Sequence, residues 1–506
     1  MPDTGRLGVL AEAAGVAVVL GLAATLRLEL LGTRSLWYDE GFSLHLARRA
    51  LPEILAALRS GEPHPVGYYA LLSAWLRVVG DDLAAVRALS AVFGLGAVLL
   101  TWLAGRALFS PLTGVLGALL VAVNPFQIVA SNELRMYAPL SALALLSTWL
   151  LWRASQGAGW AVWIAYGGCV AAMAYTSYYS FLLLPAHALW VVFRARAHLR
   201  GAVLSAAVAV VTYLPWVFFV LGSPRVPPFP WRVGLWPTYL LEVAGSHTFG
   251  GYLFGLMTYV SRNTGPAAAY VPLLFPFALL AGIGARHLAR AHRPARDLVA
   301  VAWLIPVILV VVASAAWGKV VAYPRHLLFL QPFAALLVAG GIVGVRDVAT
   351  DRCRPAASLL ALTVVLVPLV AAVGNLQGNP AYQIFRYDQA ARLVARLYAP
   401  GDVVVYFPGG VEHPFRHYFD PPGPEVVVPV WADRWSRQAL APSVEGMKDL
   451  IGPRFRRVWL VFSVPFPDGA VVDLAAAIES LGFRRVYVED FGRVWVAVFA
   501  RPGASR

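Results

Sequence analysis

Cysteine is almost absent from this chain of 506 residues, which contains only two, Cys169 and Cys353. Cys169 lies inside a long apolar run and Cys353 in a short basic loop, so no disulfide framework is expected. The chain also lacks an HExxH motif, a cysteine pair and a serine-elbow motif, and no glycine-rich phosphate loop follows a predicted strand. Zinc peptidase, serine hydrolase and dinucleotide-binding chemistry therefore have no support in the sequence.

Charge is scarce as well, because Asp, Glu, Lys and Arg make up only 13% of the residues. Hydrophobic residues make up 59%, and the mean hydropathy is +0.66. This composition is typical of a polytopic membrane protein. The net charge of +14 lies mostly in loops that flank apolar runs, where it meets membrane lipids, and no basic stripe is interleaved with aromatics. Nucleic acid is therefore not expected as a partner.

Apolar runs long enough to cross a bilayer predict about eleven membrane helices. Arginine is concentrated in alternate loops, which places the N-terminus in the cytoplasm and the C-terminal region outside. The first run is interpreted as an uncleaved signal anchor. The predicted spans are 7–30, 84–105, 112–131, 136–152, 160–176, 180–193, 202–221, 267–285, 298–316, 326–345 and 356–374.

Two long outer loops and a C-terminal region interrupt this pattern. Loop 31–83 is predicted to carry two short interfacial helices, and loop 222–266 is rich in proline and aromatic residues. Residues 1–378 are thus predicted to form a transmembrane domain. Residues 379–506 alternate between helices and short apolar strands and predict a small extracytoplasmic α/β domain. The predicted interfacial helices are 52–60 and 68–79, and the predicted strands are 403–407, 457–463, 485–489 and 494–500.

The strongest functional signal is a pair of adjacent acids, Asp39 and Glu40, just after the first apolar run. Carboxylates at the edge of a bilayer cost free energy, so a chain that places them there usually uses them. Adjacent side chains point in different directions, so the two acids are expected to have different tasks. The alternative is that they cap an interfacial helix, because acids favour helix N-termini.

Further polar side chains occur at other outward-facing turns, and their chemistry fits a phosphate. Arginine is well suited to bind a departing phosphate, and an acceptor hydroxyl needs a general base. Outside the cell membrane, an activated sugar would come from a lipid carrier such as a polyprenyl phosphate. The alternatives are a solvated histidine, an internal Glu–Arg ion pair and an arginine that snorkels to the interface. The residues concerned are His64, Tyr68, Glu133, Arg135, Tyr137 and Arg325.

Four stretches resemble the glycosyltransferase family 39 type of the glycosyltransferase C superfamily, which includes protein O-mannosyltransferases and lipid A aminoarabinose transferases. The resemblance is close over residues 30–155 and looser to about residue 375. Val66 stands where that family often has a second proline. The stretches are SLWYDEGFS (35–43), HPVGYYAL (64–71), NPFQIVASNELRMYAPL (124–140) and YPRHLLFLQP (323–332).

The resemblance implies a fold of membrane helices with outward-facing juxtamembrane helices. It also implies transfer of a sugar from a polyprenyl-phosphate donor with inversion at the anomeric carbon. By the match of motifs, Asp39 is the expected base and Glu40 its neighbour. Glu133 and Arg135 fall on the second acidic motif of the family, and His64 falls near the donor phosphate.

The sequence therefore predicts a multi-pass glycosyltransferase of the plasma or inner membrane, acting on a glycan, lipid or protein acceptor at the outer face. The site is expected between loop 31–83, turn 124–137 and residues 317–326. Acids and a phosphate together are typical ligands of Mg²⁺ or Mn²⁺, so a divalent cation is the one cofactor left open. The alternatives are a transporter or lipid flippase, a ligase that moves lipid-linked oligosaccharide, and a non-catalytic binding subunit. A transporter would carry its charges near the bilayer midplane in paired half-repeats, which the sequence does not show.

Overall fold

The computed structural model describes residues 4–59, 64–223, 244, 271–318, 320–378, 385–429, 437–452, 454–464 and 469–503. These residues fall into two compact units. The membrane unit holds residues up to Gly32 and most of the chain from Leu51 to residue 378, and the sheet unit holds Thr33–Ala50 and the C-terminal residues. Almost all of the predicted loop 222–266 lies outside the described residues.

The membrane unit is a bundle of helices whose long members are apolar enough to cross a bilayer. Within the described ranges, seven helices meet that criterion, and shorter apolar helices accompany them. The predicted polytopic helical fold is confirmed, whereas the count of eleven spans is not. The helices are α1 (Thr4–Leu28), α3 (Leu51–Arg59), α4 (Val66–Val79), α5 (Leu83–Leu108), α6 (Pro111–Ala122), α7 (Pro125–Ala130), α8 (Tyr137–Ser155), α9 (Trp160–Thr176), α10 (Leu184–Arg194), α11 (Leu199–Leu221), α12 (Val271–Ala291), α13 (Arg293–Trp317), α14 (Gln331–Val348) and α15 (Arg354–Gly378).

Side-chain exposure separates the lipid-facing helices from the centre of the bundle. Large apolar side chains such as Val211, Phe218 and Leu359 are exposed, as expected for helices that face lipid. In the span Pro324–Val348, 89% of an apolar 18-residue stretch is instead buried, so this span forms the centre of the bundle. Gly284 of α12 allows the close approach to α14, because a Cβ there would lie 1.9 Å from the carbonyl oxygen of Leu337.

The prediction of one continuous span over 112–131 is wrong. Helix α6 ends at Ala122, and the short helix α7 begins at Pro125. Asn124 caps α7, since its Oδ1 accepts a hydrogen bond from the backbone N–H of Gln127 at 3.0 Å. Proline has no N–H to continue the first helix but suits the first turn of a new one. The break starts the turn that carries Glu133 and Arg135.

The sheet unit is built on five strands in the order β2-β1-β3-β5-β4. Strand β1 pairs in parallel with β2 and β3, and β5 pairs antiparallel with β3 and β4. Val403, Val405 and Phe407 of β1 are fully buried against the helices of this unit. The strands are β1 (Asp402–Phe407), β2 (Glu425–Val427), β3 (Arg457–Ser463), β4 (Arg484–Asp490) and β5 (Val494–Ala500), and the helices are α2 (Tyr38–Ala47), α16 (Tyr387–Leu397), α17 (Glu412–Tyr418), α18 (Arg437–Leu450) and α19 (Ala470–Ser480).

Helix α2 belongs to the sheet unit although it lies near the N-terminus, far from the other elements of that unit in the sequence. The sequence predicted its residues as part of the outer loop of the transmembrane domain. The structure groups Thr33–Ala50 with the C-terminal strands, and α2 packs on α17. The helix that carries the two acids is therefore part of the fold of the C-terminal region.

Candidate active site

Asp39 and Glu40 both lie in the first turn of α2, where the positive end of a helix dipole favours acids. Glu40 is buried, and its Oε2 accepts a long hydrogen bond of 3.4 Å from the backbone N–H of Trp37. Glu40 therefore helps to cap the N-terminus of α2. Asp39 is half-buried, and its backbone carbonyl accepts a hydrogen bond from Ser43 Oγ at 2.9 Å. The two carboxylates thus have different surroundings, and Asp39 is the more accessible of the pair.

A buried pair of Arg135 and His64 lies in the membrane unit. Arg135 Nη2 is 3.0 Å from His64 Nε2, and the arginine is only 5% exposed. Because a guanidinium only donates hydrogen bonds, Nε2 of His64 must be the acceptor, and the ring carries its proton on Nδ1. Burial, together with the positive charges of Arg135 and Arg325, holds the pKa of His64 well below its usual value. His64 is therefore neutral, with two cationic side chains close enough to act on it.

The turn between α7 and α8 is held in place from two neighbouring helices. Ser90 Oγ of α5 donates a hydrogen bond to the carbonyl oxygen of Glu133 at 2.6 Å. Arg27 of α1 is fully buried and donates to Ser131 Oγ at 3.2 Å and to the carbonyl of Ala122 at 3.0 Å. These bonds satisfy the end of α6 and fix the backbone that carries Glu133 and Arg135.

A 3₁₀ turn, Pro324–Leu330, carries Arg325 and brings a further histidine to the site. The backbone N–H of Tyr323 donates to His326 Nδ1 at 3.1 Å, so a neutral His326 carries its proton on Nε2. The His326 ring stacks on Tyr179 at 4.2 Å and lies 6.2 Å from the ring of Tyr137. The structure thus brings Tyr137, Tyr179 and His326 together next to Arg325.

A buried amide joins the two segments that carry Arg135 and Arg325. Gln127 Nε2 of α7 lies 3.2 Å from Ser141 Oγ and 3.3 Å from both the carbonyl oxygen of Leu328 and Gln331 Oε1. Gln127 and Gln331 are both buried. A shared network of buried hydrogen bonds makes the positions of these two segments depend on each other.

Tyr68 lies in α4, directly after the turn that holds His64 and Pro65. It is 1% exposed and packs edge to face on Tyr69 at 5.9 Å. Gly67 seats the start of this helix on α9, because a Cβ there would lie 2.5 Å from the carbonyl oxygen of Tyr175. The close approach of α4 to α9 holds the His64 turn and Tyr68 in place.

The predicted site residues therefore fall into two groups, one in each unit. Asp39 and Glu40 lie in the sheet unit, and the six predicted donor-site residues lie in the membrane unit. Tyr179, His326 and Gln127 were not among the predicted site residues. The tyrosine pair at 178–179 and the histidine that follows Arg325 are the sequence signals that point to the first two.

A metal site made of protein ligands alone is not found in the part of the chain that the structure describes. No three His, Cys, Asp or Glu side chains there are grouped closely enough to hold an ion. Asp39 and Glu40 supply two carboxylates, so a divalent cation would depend on ligands from a substrate phosphate. The use of Mg²⁺ or Mn²⁺ stays a prediction.

Comparison with known proteins connects this architecture to one class of membrane enzymes. Residues 63–219 match the family described as dolichyl-phosphate-mannose-protein mannosyltransferase. No curated protein sequence matches the chain. Among solved structures, ArnT from Cupriavidus metallidurans bound to undecaprenyl phosphate aligns with a TM-score of 0.60 at 16% identity, over 95% of this chain and 97% of that one.

Two other similar structures are larger proteins. The archaeal oligosaccharyltransferase AglB from Archaeoglobus fulgidus, in complex with an inhibitory peptide and a dolichol-phosphate, has a TM-score of 0.58 at 12% identity. It is covered over 74% of its length by 98% of this chain. The arabinofuranosyltransferase AftD from Mycobacteria has a TM-score of 0.53 at 14% identity, over 97% of this chain and 39% of that one.

These neighbours are all glycosyltransferase C enzymes, so the fold of this chain is that of the glycosyltransferase C superfamily. The matched segment, residues 63–219, resembles the dolichyl-phosphate-mannose-dependent protein mannosyltransferases. The resemblance inferred from the four sequence motifs is confirmed.

Proposed function

We propose that this protein is an integral-membrane inverting glycosyltransferase that moves a sugar from a polyprenyl-phosphate donor to an acceptor hydroxyl on the extracytoplasmic side. The observation that carries the proposal is the buried Arg135, held by a neutral His64 next to Arg325. Buried guanidinium groups at a membrane surface suit a lipid phosphate. Support also comes from two structural neighbours that hold undecaprenyl phosphate and dolichol-phosphate.

In this proposal, Asp39 accepts the proton of the acceptor hydroxyl as its oxygen attacks the anomeric carbon of the sugar. The bond from that carbon to the phosphate oxygen breaks on the opposite face, so the configuration inverts. The electron pair of the broken bond stays on the lipid phosphate, whose charge Arg135 and Arg325 neutralise. Glu40 supports the start of α2.

The other predicted residues serve the donor in this scheme. His64 orients Arg135 through the hydrogen bond that it accepts, rather than meeting the phosphate as a cation. Tyr68 and Tyr137 line the donor side through their rings, and Glu133 shares the turn that carries Arg135. If a divalent cation takes part, a chelator should abolish transfer and added Mg²⁺ or Mn²⁺ should restore it.

The test is transfer by membranes containing the full-length protein, with a panel of labelled polyprenyl-phosphate sugars. Asp39→Asn removes the proton acceptor but keeps the size of the side chain. Loss of a general base typically lowers the rate about 10²- to 10⁴-fold, so that loss is the expected result. Asp490→Asn, at an exposed end of β4, is the matched control and should leave the rate unchanged. Equal transfer by wild type and Asp39→Asn would remove Asp39 from the mechanism.

A second donor class has support from one comparison. AglB, with a TM-score of 0.58, is an oligosaccharyltransferase, so a lipid-linked oligosaccharide is the second candidate donor. Lipid-linked oligosaccharides therefore belong in the same panel. Transfer from these donors alone would favour a ligase, and movement of unreacted lipid across vesicles without transfer would favour a flippase.

A further inference from the structure

The helix that carries Asp39 and Glu40 rests on one short segment of the C-terminal chain, Gly409–Tyr418. The Tyr38 hydroxyl donates a hydrogen bond to the carbonyl oxygen of Gly409 at 2.8 Å. The backbone N–H of Leu36 donates to the Tyr418 hydroxyl at 2.8 Å. These bonds lie on the N-terminal side of Asp39 and fix the start of the helix.

On the other side of Asp39, the two helices touch through their backbones. A Cβ on Gly41 would lie 2.5 Å from both the nitrogen and Cδ of Pro414. Gly41 has an ordinary helical backbone conformation, which any residue could adopt. The glycine is therefore needed for the close approach of Pro414 and not for its φ angle. Pro414 suits the contact because a proline nitrogen carries no hydrogen. One helical turn further on, the rings of His45 and His413 stack at 4.0 Å.

The opposing segment is itself fixed, so it can serve as a rigid support. Gly410 has a φ of +104°, and a Cβ there would lie 2.3 Å from the Tyr38 hydroxyl. The backbone N–H of Gly410 donates to Glu412 Oε2 at 2.6 Å, which closes the loop between β1 and α17. Strand β1, whose side chains are all buried, anchors the other end of this loop.

We propose that Gly409–Tyr418 is a positioning element for the proposed base, with Pro414 and Tyr418 as its key residues. Hydrogen bonds before Asp39 and a close backbone contact after it set the direction and register of α2 and hence the direction of both carboxylates. The C-terminal unit then contributes to the rate of the chemical step and not to the binding of the lipid donor. This inference rests on the proposed function, because the role of Asp39 is part of it.

Two substitutions test the proposal from opposite sides of Asp39. Tyr418→Phe removes the oxygen that accepts the Leu36 N–H and changes nothing else in shape. Gly41→Ala forces α2 away from Pro414 by a few tenths of an ångström or more. Displacements of about 1 Å at a reacting group cost up to about 10²-fold in rate. We expect kcat to fall about tenfold for Tyr418→Phe and about 10- to 100-fold for Gly41→Ala, with the KM for the donor unchanged.

Matched controls separate positioning from a general loss of folding. Gly96→Ala makes the same change inside helix α5, where a Cβ meets nothing within 4 Å, and should leave kcat unchanged. Tyr487→Phe removes a hydroxyl from the exposed strand β4 and should also have no effect. Melting temperature and elution as a single species show whether each variant is folded. A Gly41→Ala variant that fails to fold leaves Tyr418→Phe as the deciding measurement.

A double-variant cycle checks that Gly41 and Pro414 act through their contact. If they do, the effects of Gly41→Ala and Pro414→Ala on kcat will not multiply in the double variant. Full kcat in folded Tyr418→Phe and Gly41→Ala, or a change confined to the KM for the donor, would overturn the positioning role while wild-type transfer still stands. Absence of transfer by the wild type from every donor would instead overturn the proposed function itself.

Discussion

At the residue scale, the protonation state of His64 decides whether its ring acts as a cation or as a hydrogen-bond acceptor in the site. A histidine near a phosphate is easily taken for a second cation, but Nε2 of this ring accepts a hydrogen bond from Arg135 at 3.0 Å. A neutral acceptor orients the guanidinium but does not neutralise its positive charge. The same pairing gives the buried arginine a neutral hydrogen-bond partner.

The effect of a substitution at His64 on donor affinity should therefore depend on whether the new side chain can accept a hydrogen bond from Arg135. His64→Leu removes the acceptor, and we expect donor affinity to fall about tenfold, or about 1.4 kcal/mol, as for a lost hydrogen bond to a charged group. His64→Gln keeps an acceptor oxygen and should retain most of the affinity. Arg135→Lys loses the planar fork and should raise the KM for the donor at least as much as His64→Leu. Donor KM values measured for the three variants check this, and equal damage by Gln and Leu would mean that the ring itself contacts the donor.

The sequence singles out individual polar residues more readily than the contacts between them, and the roles of the residues it singles out stay predictions. Asp39, His64 and Arg135 stand out because polar groups are rare in so apolar a chain. Tyr179 and His326 were not predicted as a pair, since their stacking depends on a fold that joins positions about 150 residues apart. The role of Gln127 cannot be predicted from the sequence for the same reason. The hydrogen-bond partners of this amide lie in other segments, which approach it only when the helices pack.

At the scale of elements, regular patterns predicted well and short mixed segments did not. Strands β3 and β5 begin and end as predicted, because each is a short and almost continuously apolar run that is buried in the sheet. Helix α2 has no apolar periodicity and was predicted as part of loop 31–83, with the capping of an interfacial helix as the alternative role of its two acids. Its fold depends on contacts with residues more than 370 positions away, which no local pattern encodes.

The docking of α2 should depend on pH through His45 and His413. Burial and neighbouring arginines (Arg49, Arg416 and Arg48) lower the pKa of His45 to about 4. Burial, His45, Arg416 and Arg49 lower the pKa of His413 to about 3. The unfolded chain binds these protons near pH 6.5, so it binds more protons than the folded state below that value. The contribution of the pair to stability is therefore complete above about pH 6.5 and is lost as the pH falls towards 4.

Hydrogen exchange of the amides in Tyr38–Ala47, corrected for the intrinsic rate at each pH, measures this loss. We expect protection to decrease between pH 7 and 4.5 in the wild type. The decrease should be smaller in the double variant His45→Gln/His413→Gln, which has no group that titrates there. Glu412 acts in the opposite sense, because burial raises the pKa of its carboxyl and favours the acidic form in the folded state. Constant protection over this range in the wild type would contradict the expectation.

At the scale of the whole molecule, the predicted orientation has a direct test in the two native cysteines. Cys353 is exposed in the loop between α14 and α15, which the positive-inside rule places in the cytoplasm, and Cys169 is buried. A membrane-impermeant maleimide should label Cys353 only after the cells are opened. The Arg485→Cys variant on a Cys353→Ser background places a thiol on exposed strand β4 and should react in intact cells. The reverse pattern would put the sheet unit, and with it Asp39, in the cytosol.

Helix α2 is made early in synthesis, but its supporting segment is made late. Leu36 and Tyr418, which form one of the contacts, are 382 positions apart. On a ribosome the spans of the membrane unit are inserted long before residue 418 exists, so α2 waits without its support through most of translation. Any nascent chain cut short ahead of that point would leave the acid pair unanchored. Each molecule would then become able to catalyse transfer only after the chain as far as Tyr418 has been synthesised and folded.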